Sequence, residues 1–248
     1  LFKHRGETPL ERLSNFLREN KIKEKAAYMG RFDPMAEGVL LVATGDDIKK
    51  REELLNLDKE YDFNVLFGFA TDTYDILGKI LRVEQLKEVD EIFLRKIAGV
   101  YEGERDQKYP PFSSKTVSGK AMHEWARMEK LNDPTVGGEI PSKKITVHKI
   151  NFSGLQKLQA KELLGRLLMD ISKVKGDFRQ HDILVLWKQM LTNYTEPLFI
   201  GKFSAQVSSG TYIRSMVDDF GTSLGVGACA LSIIRTKVGD YEINDSIK

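Results

Sequence analysis

The sequence of 248 residues is poor in cysteine and histidine, with one Cys and four His. The single cysteine, Cys229, excludes an internal disulfide and favours a reducing, cytoplasmic setting. Because the histidines are scattered and there is one thiol, no metal-ligand spacing is present and we expect no metal site. No apolar run is long enough to cross a bilayer and no signal peptide is evident, so we expect no membrane association.

A strong net charge is also missing, because 38 Lys and Arg residues balance 36 Asp and Glu residues to give +2. A total this small is weak support for a nucleic-acid partner, so the distribution of charge matters more. Basic residues cluster at 21–25, 49–51 and 143–144. Such clusters are typical of solvated faces as well as of phosphate contacts, and composition alone leaves both interpretations open.

The chain has enough apolar residues to form a core, since 41% of it is hydrophobic. Local patterns along the sequence predict both helices and strands. The capping box that begins at Thr8 predicts a helix to about Asn20. Residues 39–43 are continuously apolar, as in a fully buried strand. Residues 61–69 alternate with a period of two, which predicts a strand with an aromatic face.

The second half of the chain shows no regular alternation of strands and helices. We expect, in order, a strand at 145–152, two helices within 155–191 joined by a turn at 175–177, the last central strand at 203–207 and a helix at 211–224. This order favours an α+β fold. We expect one domain over residues 1–248, with a helical insertion at about 155–196.

Three residues stand out as a chemical set. Asp33 lies on an Asp-Pro turn before the buried apolar run, although an Asp in such a turn usually caps the backbone. Arg214 lies in the first turn of a predicted helix, where a cation is unfavourable unless an anion is close. Tyr61 lies on the aromatic strand, either as a core residue or as a surface for stacking. Together they supply a carboxylate, a cation and a stacking ring, which suit chemistry on an RNA base.

Two further carboxylates, Asp72 and Asp75, lie in a Thr-rich turn closed by Gly78. A magnesium site is one interpretation of this pair. Side-chain capping of backbone N–H groups explains the pattern better, because Asp and Thr make such bonds routinely in turns.

Four segments occur in an order that resembles the bacterial tRNA pseudouridine-55 synthases of the TruB family. They are Gly30–Leu40, Lys59–Tyr61, Thr71–Asp75 and Gly210–Arg214. The resemblance also takes in Lys3, Gly6 and Thr8 of the opening signature, with His4 where the family has Pro. It covers about residues 1–150 and 199–241.

The resemblance implies a mixed, largely antiparallel central sheet with flanking helices and an active-site cleft across its middle. It also implies an isomerase that converts uridine to pseudouridine in the T-loop of tRNA without any cofactor. Asp33 would be the catalytic carboxylate, Arg214 its charge partner, and Tyr61 the ring that stacks on uracil and handles the C5 proton. We expect a monomer whose partner is the T-arm of tRNA. Substrate contacts would come from Tyr28, Tyr212, Lys3, Lys115 and Lys120.

The chain departs from the family pattern in three places. Tyr28 lies where the family has a His that assists extrusion of the base, the helical stretch between Gly154 and Pro197 is unfamiliar, and the sequence stops soon after Tyr241, before a C-terminal RNA-binding domain. One alternative is a T-arm-binding RNA chaperone with weak or no turnover. A more distant one is the catalytic subunit of a guide-RNA-dependent synthase.

Overall fold

The computed structural model describes residues 1–131 and 140–248. In these residues the helices are α1 (Pro9–Glu19), α2 (Arg51–Asn56), α3 (Glu91–Tyr101), α4 (Met122–Arg127), α5 (Ala160–Ile171), α6 (Gln180–Thr192) and α7 (Ile213–Ser223). The strands are β1 (Phe2–Lys3), β2 (Ala26–Met29), β3 (Ala36–Val39), β4 (Leu41–Thr44), β5 (Lys59–Phe67), β6 (Phe69–Thr71), β7 (Ile80–Val83), β8 (Gly103–Lys108), β9 (Thr116–Val117), β10 (Lys120–Ala121), β11 (Ser142–Leu158), β12 (Leu198–Val207), β13 (Ala228–Val238) and β14 (Tyr241–Glu242). Every helix in this part of the chain is too short or too polar to cross a membrane.

An eight-stranded sheet forms the centre of the molecule. Its strands lie in the order β1-β3-β13-β5-β12-β11-β8, and β14 pairs with β13. The β3–β13 pair is parallel, whereas the other described pairs of this sheet are antiparallel. The prediction of an α+β fold with a mixed, largely antiparallel sheet is therefore confirmed.

Helices cover both faces of this sheet because its central strands bury apolar side chains in both directions. In β12, Phe199 and Phe203 belong to the core that also contains residues of α3 and α7. The side chain of Ile200 points the other way, into a core shared with α5 and α6. Alternation along one strand thus assigns the helices to opposite faces.

The predicted helical hairpin is present as α5 and α6, with the predicted turn at 175–177 between them. Residues 155–158 belong to the end of β11 and not to a helix. The hairpin is part of the core, because Trp187 is fully buried and its indole N–H donates to the Ile76 carbonyl at 3.1 Å. It also lies in contact with the ring of Phe69, 5.4 Å between centroids.

Two strand predictions were wrong. The strand at 203–207 is not the last of the sheet, because β13 follows it and lies between β3 and β5. The apolar run 39–43 is not one strand, since it passes from β3 in the main sheet to β4, which pairs with β2 in a separate sheet. An apolar run shows burial but does not show where the chain changes sheet.

One half-buried carboxyl in α7 should make folding stability depend on pH. Burial raises the pKa of Asp218 to about 6, with a further contribution from Asp219. As pH rises, the unfolded chain loses this proton before the folded protein does. The protonated carboxyl therefore stabilises the fold fully below the ordinary pKa of an Asp, and this stabilisation is lost as pH rises through about 6. We expect Asp218→Asn to stabilise the protein by about 1 kcal/mol at neutral pH and by much less near pH 4. Urea unfolding at both pH values measures this, and an equal gain at both would contradict it.

Candidate active site

The turn that carries Asp33 connects β2 to β3 and is held from below by Lys3. The Lys3 ammonium is completely buried and donates to the carbonyls of Asp33, Pro34 and Ala36 at 3.3, 3.1 and 2.5 Å. Burial lowers the pKa of Lys3 to about 8, and Asp33 opposes the shift. With its donors used on the turn, Lys3 supports Asp33. This placement does not favour the predicted substrate contact.

Arg214 forms hydrogen bonds to both oxygens of the Asp33 carboxylate. Its Nε donates to Oδ2 and its Nη2 to Oδ1, each at 2.7 Å. The guanidinium is 3% exposed, whereas the Asp33 side chain is 33% exposed. A buried two-point contact fixes the plane of the carboxylate and leaves one side of it open to a cavity.

The rest of the Arg214 guanidinium is also engaged. Its Nη1 donates to the Thr73 carbonyl at 2.6 Å, and its Nε lies 3.7 Å from the Asp75 carboxylate. Burial alone lowers the pKa of Arg214, but the charges of Asp33 and Asp75 outweigh it and raise the pKa above its ordinary value. The residue therefore remains a permanent cation at the start of α7, in a position where the helix alone disfavours one.

The Thr71–Asp75 turn is built by the side-chain capping that the sequence suggests. The Asp75 carboxylate accepts from the Thr73 hydroxyl at 2.7 Å and from the Leu77 N–H at 2.9 Å. Burial raises the pKa of Asp75 to about 6, against the lowering effect of Arg214. The magnesium interpretation has no support here, because Asp72 forms a two-point ion pair with Arg179 at 2.6 and 3.2 Å.

Two cavities meet at Asp33. The smaller, of about 330 Å³, is also lined by Tyr61, Ile233 and Arg235. The larger, of about 530 Å³, contains Tyr28 in its wall. The two share a wall that consists of Arg31, Phe32, Asp33 and Tyr212. Tyr212 is the N-cap of α7, directly before Ile213. The structure thus places four of the predicted site residues around the Asp33 carboxylate, namely Tyr28, Tyr61, Tyr212 and Arg214.

The loop of the helical hairpin completes the larger cavity. Phe178 and Arg179 line it, and the Arg179 guanidinium lies 4.3 Å from the Phe112 ring centroid. Asp177 in the same loop pairs with Arg127 at 3.3 Å. The sequence predicts a helical insertion in this part of the chain but not its position, and the structure brings the hairpin loop to the wall of the site.

A third cavity, of about 410 Å³, lies on the other side of Tyr212. Its wall contains the basic residues Arg31, Lys115 and Lys143, and the Lys115 ammonium lies 5.5 Å from the Tyr109 ring centroid. Lys115 is therefore next to the predicted site. Lys120 is exposed on β10, 4.8 Å from the Trp125 ring centroid, and it lines none of these three cavities.

Sequence reasoning missed several residues that line the site. They include His123, Phe112, Phe178, Arg179 and Arg235. Their signals are not local, because each lies far along the chain from the Asp33 turn. Lys59, the first residue of the Lys59–Tyr61 segment, also lines the smaller cavity, and its ammonium donates to the Leu55 and Leu57 carbonyls at 2.7 and 2.5 Å.

Comparisons with known proteins agree with this geometry. Residues 18–178 match the model of the TruB family pseudouridylate synthase N-terminal domain. The tRNA pseudouridine synthase B of Mesomycoplasma hyopneumoniae is 32% identical over 251 residues, which cover all of this chain and 63% of that relative. The protein of the same name from Chloroherpeton thalassium is 27% identical, over 95% of this chain and 78% of the relative.

The fold also matches a solved structure. A chain in the crystal structure of a Cbf5-Nop10-Gar1 complex aligns with 97% of this chain at a TM-score of 0.57 and 19% identity, covering 48% of its own length. At this identity the match concerns the fold alone. The family model covers most of the sequence, and the relatives align with nearly all of it. This chain therefore belongs to the TruB family of pseudouridylate synthases.

Proposed function

We propose that residues 1–248 form one catalytic domain of a tRNA pseudouridine synthase that isomerises a uridine in the T-loop of tRNA. The observation that carries the proposal is the Asp33 carboxylate, which buried Arg214 holds by both oxygens at 2.7 Å where two cavities meet. A buried cation aimed at a partly open carboxylate is expensive for stability alone, because each charge loses hydration. An active site explains why it is retained.

The reaction needs an ionised carboxylate and no redox chemistry. The N1–C1′ bond of uridine breaks, a C5–C1′ bond forms, the proton on C5 leaves and N1 gains one, so the product is an isomer. Asp33 can act by attack at C1′ or C6, or by removal of the C2′ proton. All three routes require the charged form. When the base binds it displaces water from the site, which favours the neutral carboxyl. The Arg214 guanidinium opposes this and stabilises the charged form.

The smaller cavity is the place we assign to the target uracil. Its volume, about 330 Å³, accepts a planar base, and Tyr61 offers a ring for stacking beside the Asp33 carboxylate. Ile233 adds an apolar surface to the same wall. Since the target must leave its stack, an RNA loop is the least costly place from which to take it.

The third cavity extends the site along the RNA backbone. Arg31, Lys115 and Lys143 line it, and none of these three forms an ion pair with another described residue. We assign this cavity to phosphates next to the target nucleotide. Each lysine that neutralises one phosphate adds about one unit to the salt dependence of binding. Lys3 has a different function here, that of a positioning residue beneath the Asp33 turn.

We propose tRNA as the partner because the relatives carry the name tRNA pseudouridine synthase B. The chain spans 63% of the length of the Mesomycoplasma relative, so tRNA, its T-arm, a monomeric state and a cytoplasmic location are parts of the proposal. An RNA chaperone explains the basic cavity but does not use the Asp33–Arg214 pair.

The test is to incubate the purified chain with an unmodified tRNA transcript and map pseudouridine by a chemical adduct that stops reverse transcription. We expect one stop in the T-loop, and no stop when the target uridine is replaced by cytidine. Neither a guide RNA nor a second protein is added, so a product also excludes the guide-dependent alternative. Tight binding without product would favour the chaperone.

Tyr28 should act through its ring. It lines the larger cavity beside Asp33, where a ring can occupy the space that an extruded base vacates. We expect Tyr28→Phe to stay within about twofold of the wild-type rate and Tyr28→Ala to lose about tenfold, in line with the value of one stacking contact. Single-turnover rates measure this, with Tyr241→Ala as the control at a half-exposed tyrosine outside these cavities. Equal losses in the Phe and Ala variants would assign the function to the hydroxyl instead.

A further inference from the structure

Arg235 lies in the wall of the smaller cavity, on the central strand that sequence reasoning missed. In the β13–β5 pair it is directly opposite Tyr61. Directly opposed residues project from the same face of a sheet, so these two side chains are neighbours. Both line the cavity that we assign to the uracil. Arg235 is 2% exposed and has no carboxylate partner among residues 1–131 and 140–248, which is unusual for a buried guanidinium.

The Arg235 side chain holds the segment that carries Asp33. Its Nε donates to the Val39 carbonyl at 2.8 Å, and its Nη1 donates to the Arg31 carbonyl at 3.3 Å. The guanidinium also lies 3.7 Å from the Phe32 ring centroid. These contacts reach both sides of Asp33 along the chain, so a movement of Arg235 would move the turn.

One nitrogen of this buried group makes no hydrogen bond to the described residues. Among the described residues, Nη2 of Arg235 has no hydrogen-bond partner. An unsatisfied buried donor costs free energy and calls for an explanation, above all when the group is charged. The Tyr61 phenol lies close enough to raise the pKa of Arg235, although burial outweighs it and lowers the pKa overall. No hydrogen bond of normal geometry joins the two in this structure.

We propose that Arg235 is a positioning residue that fixes Tyr61 relative to Asp33, with Nη2 donating to the phenol oxygen of Tyr61 once a uracil stacks in the cavity. This inference rests on the proposed function. One guanidinium would then align the carboxylate turn and the phenol from opposite sides. The bond stabilises negative charge on the phenol oxygen, so that Tyr61 can give its own proton to solvent and then receive the C5 proton, while N1 takes a proton from solvent.

The first test is a double-mutant cycle of Arg235→Lys with Tyr61→Phe, read by single-turnover rates on the tRNA transcript. Lysine keeps the charge but cannot reach Val39, Arg31 and the phenol together. We expect Arg235→Lys to lose about tenfold in rate when Tyr61 is present and less than about twofold when Tyr61 is Phe. The affinity for RNA should change little. The same loss in both backgrounds would overturn the proposal, because a merely structural residue does not depend on the hydroxyl.

A second measurement does not require turnover, so it holds even where Tyr61→Phe is inactive. Tyrosine labelled with ¹³C at the hydroxyl-bearing ring carbon gives one NMR signal for Tyr61, identified by its loss in Tyr61→Phe. Saturation with the tRNA transcript should move this signal in the wild type and move it much less in Arg235→Lys. An equal movement in both proteins, or none in the wild type, would overturn the inference.

The chain offers a matched control in Arg105. It too has an unpartnered buried nitrogen and packs on a tyrosine, with its guanidinium 3.4 Å from the Tyr101 ring centroid. It lines a separate cavity with Asp219 and not the Asp33 site. Arg105→Lys should leave the Tyr61 signal and the rate unchanged. Absence of product from the wild type would count against the proposed function, whereas the NMR comparison still decides on Arg235.

Discussion

Replacement of Asp33 by asparagine should abolish pseudouridine formation while leaving RNA binding within a few fold of the wild type. The amide keeps the shape of the carboxylate but can act neither as a nucleophile nor as a base. We expect a loss of about a thousandfold or more in the single-turnover rate, the scale associated with a group that takes part directly in bond making. Filter binding of the tRNA transcript and the adduct assay measure the two quantities separately.

The matched control for this variant is Asp72→Asn. Asp72 also forms a two-point ion pair with a partly buried arginine, Arg179, but it lies outside the proposed reaction. If the Asp33 effect came from the loss of a buried ion pair, the two variants would fall together. We expect Asp72→Asn to keep most of its rate at temperatures where it is folded. Substantial turnover by Asp33→Asn would contradict the proposed function.

Local signals allowed part of this fold to be predicted. The Thr8 hydroxyl accepts from the Glu11 N–H at 3.1 Å and begins α1 where the capping pattern places it. The period of two over residues 61–69 predicts one strand, and residues 61–67 do lie in β5. The chain leaves the main sheet at Gly68, and Phe69 begins β6, which pairs with β7 in a separate sheet. Such patterns can be recognised in the sequence because they depend only on neighbouring residues and on one buried face.

The strands that escaped prediction have no such signal. In β13, Ala228, Cys229, Ala230 and Leu231 are all buried, so both faces are covered and the alternation disappears. In β8, the edge of the sheet, charged residues dominate and the segment looks like a loop. Arg235 lies in β13, so its neighbourhood with Tyr61 could not be inferred before the pairing was known.

The residues at the centre of the site could be predicted from the sequence more readily than those in its walls. Arg214 at a helix start indicates an anion nearby, and Asp33 is that anion. The contacts of the hairpin loop carry no comparable signal. Arg179 has a left-handed backbone with φ of 64° and reaches Asp72 across more than a hundred residues of chain. Only tertiary packing brings those two residues together, and sequence spacing does not encode it.

Replacement of Arg214 by lysine should severely impair the reaction, although less than replacement of Asp33 by asparagine. An ammonium is a compact charge and cannot bond both Asp33 oxygens and the Thr73 carbonyl from one position. The carboxylate would keep a positive neighbour but lose its fixed plane, and the Thr73 carbonyl would lose its donor. We expect the single-turnover rate to fall by about a hundredfold, the scale associated with the loss of one preorganised electrostatic contact.

Arg5→Lys is the control that separates this effect from the general cost of altering a paired arginine. Arg5 is partly buried and contacts two carboxylates, Glu37 at 2.9 Å and Asp170, much as Arg214 contacts Asp33 and Asp75. It lines none of the three cavities at the site. Thermal unfolding of both variants shows the structural cost, and the adduct assay shows the chemical one. A lysine variant at position 214 with the wild-type rate would show that the geometry of the guanidinium does not matter, and Arg214 would then contribute charge alone.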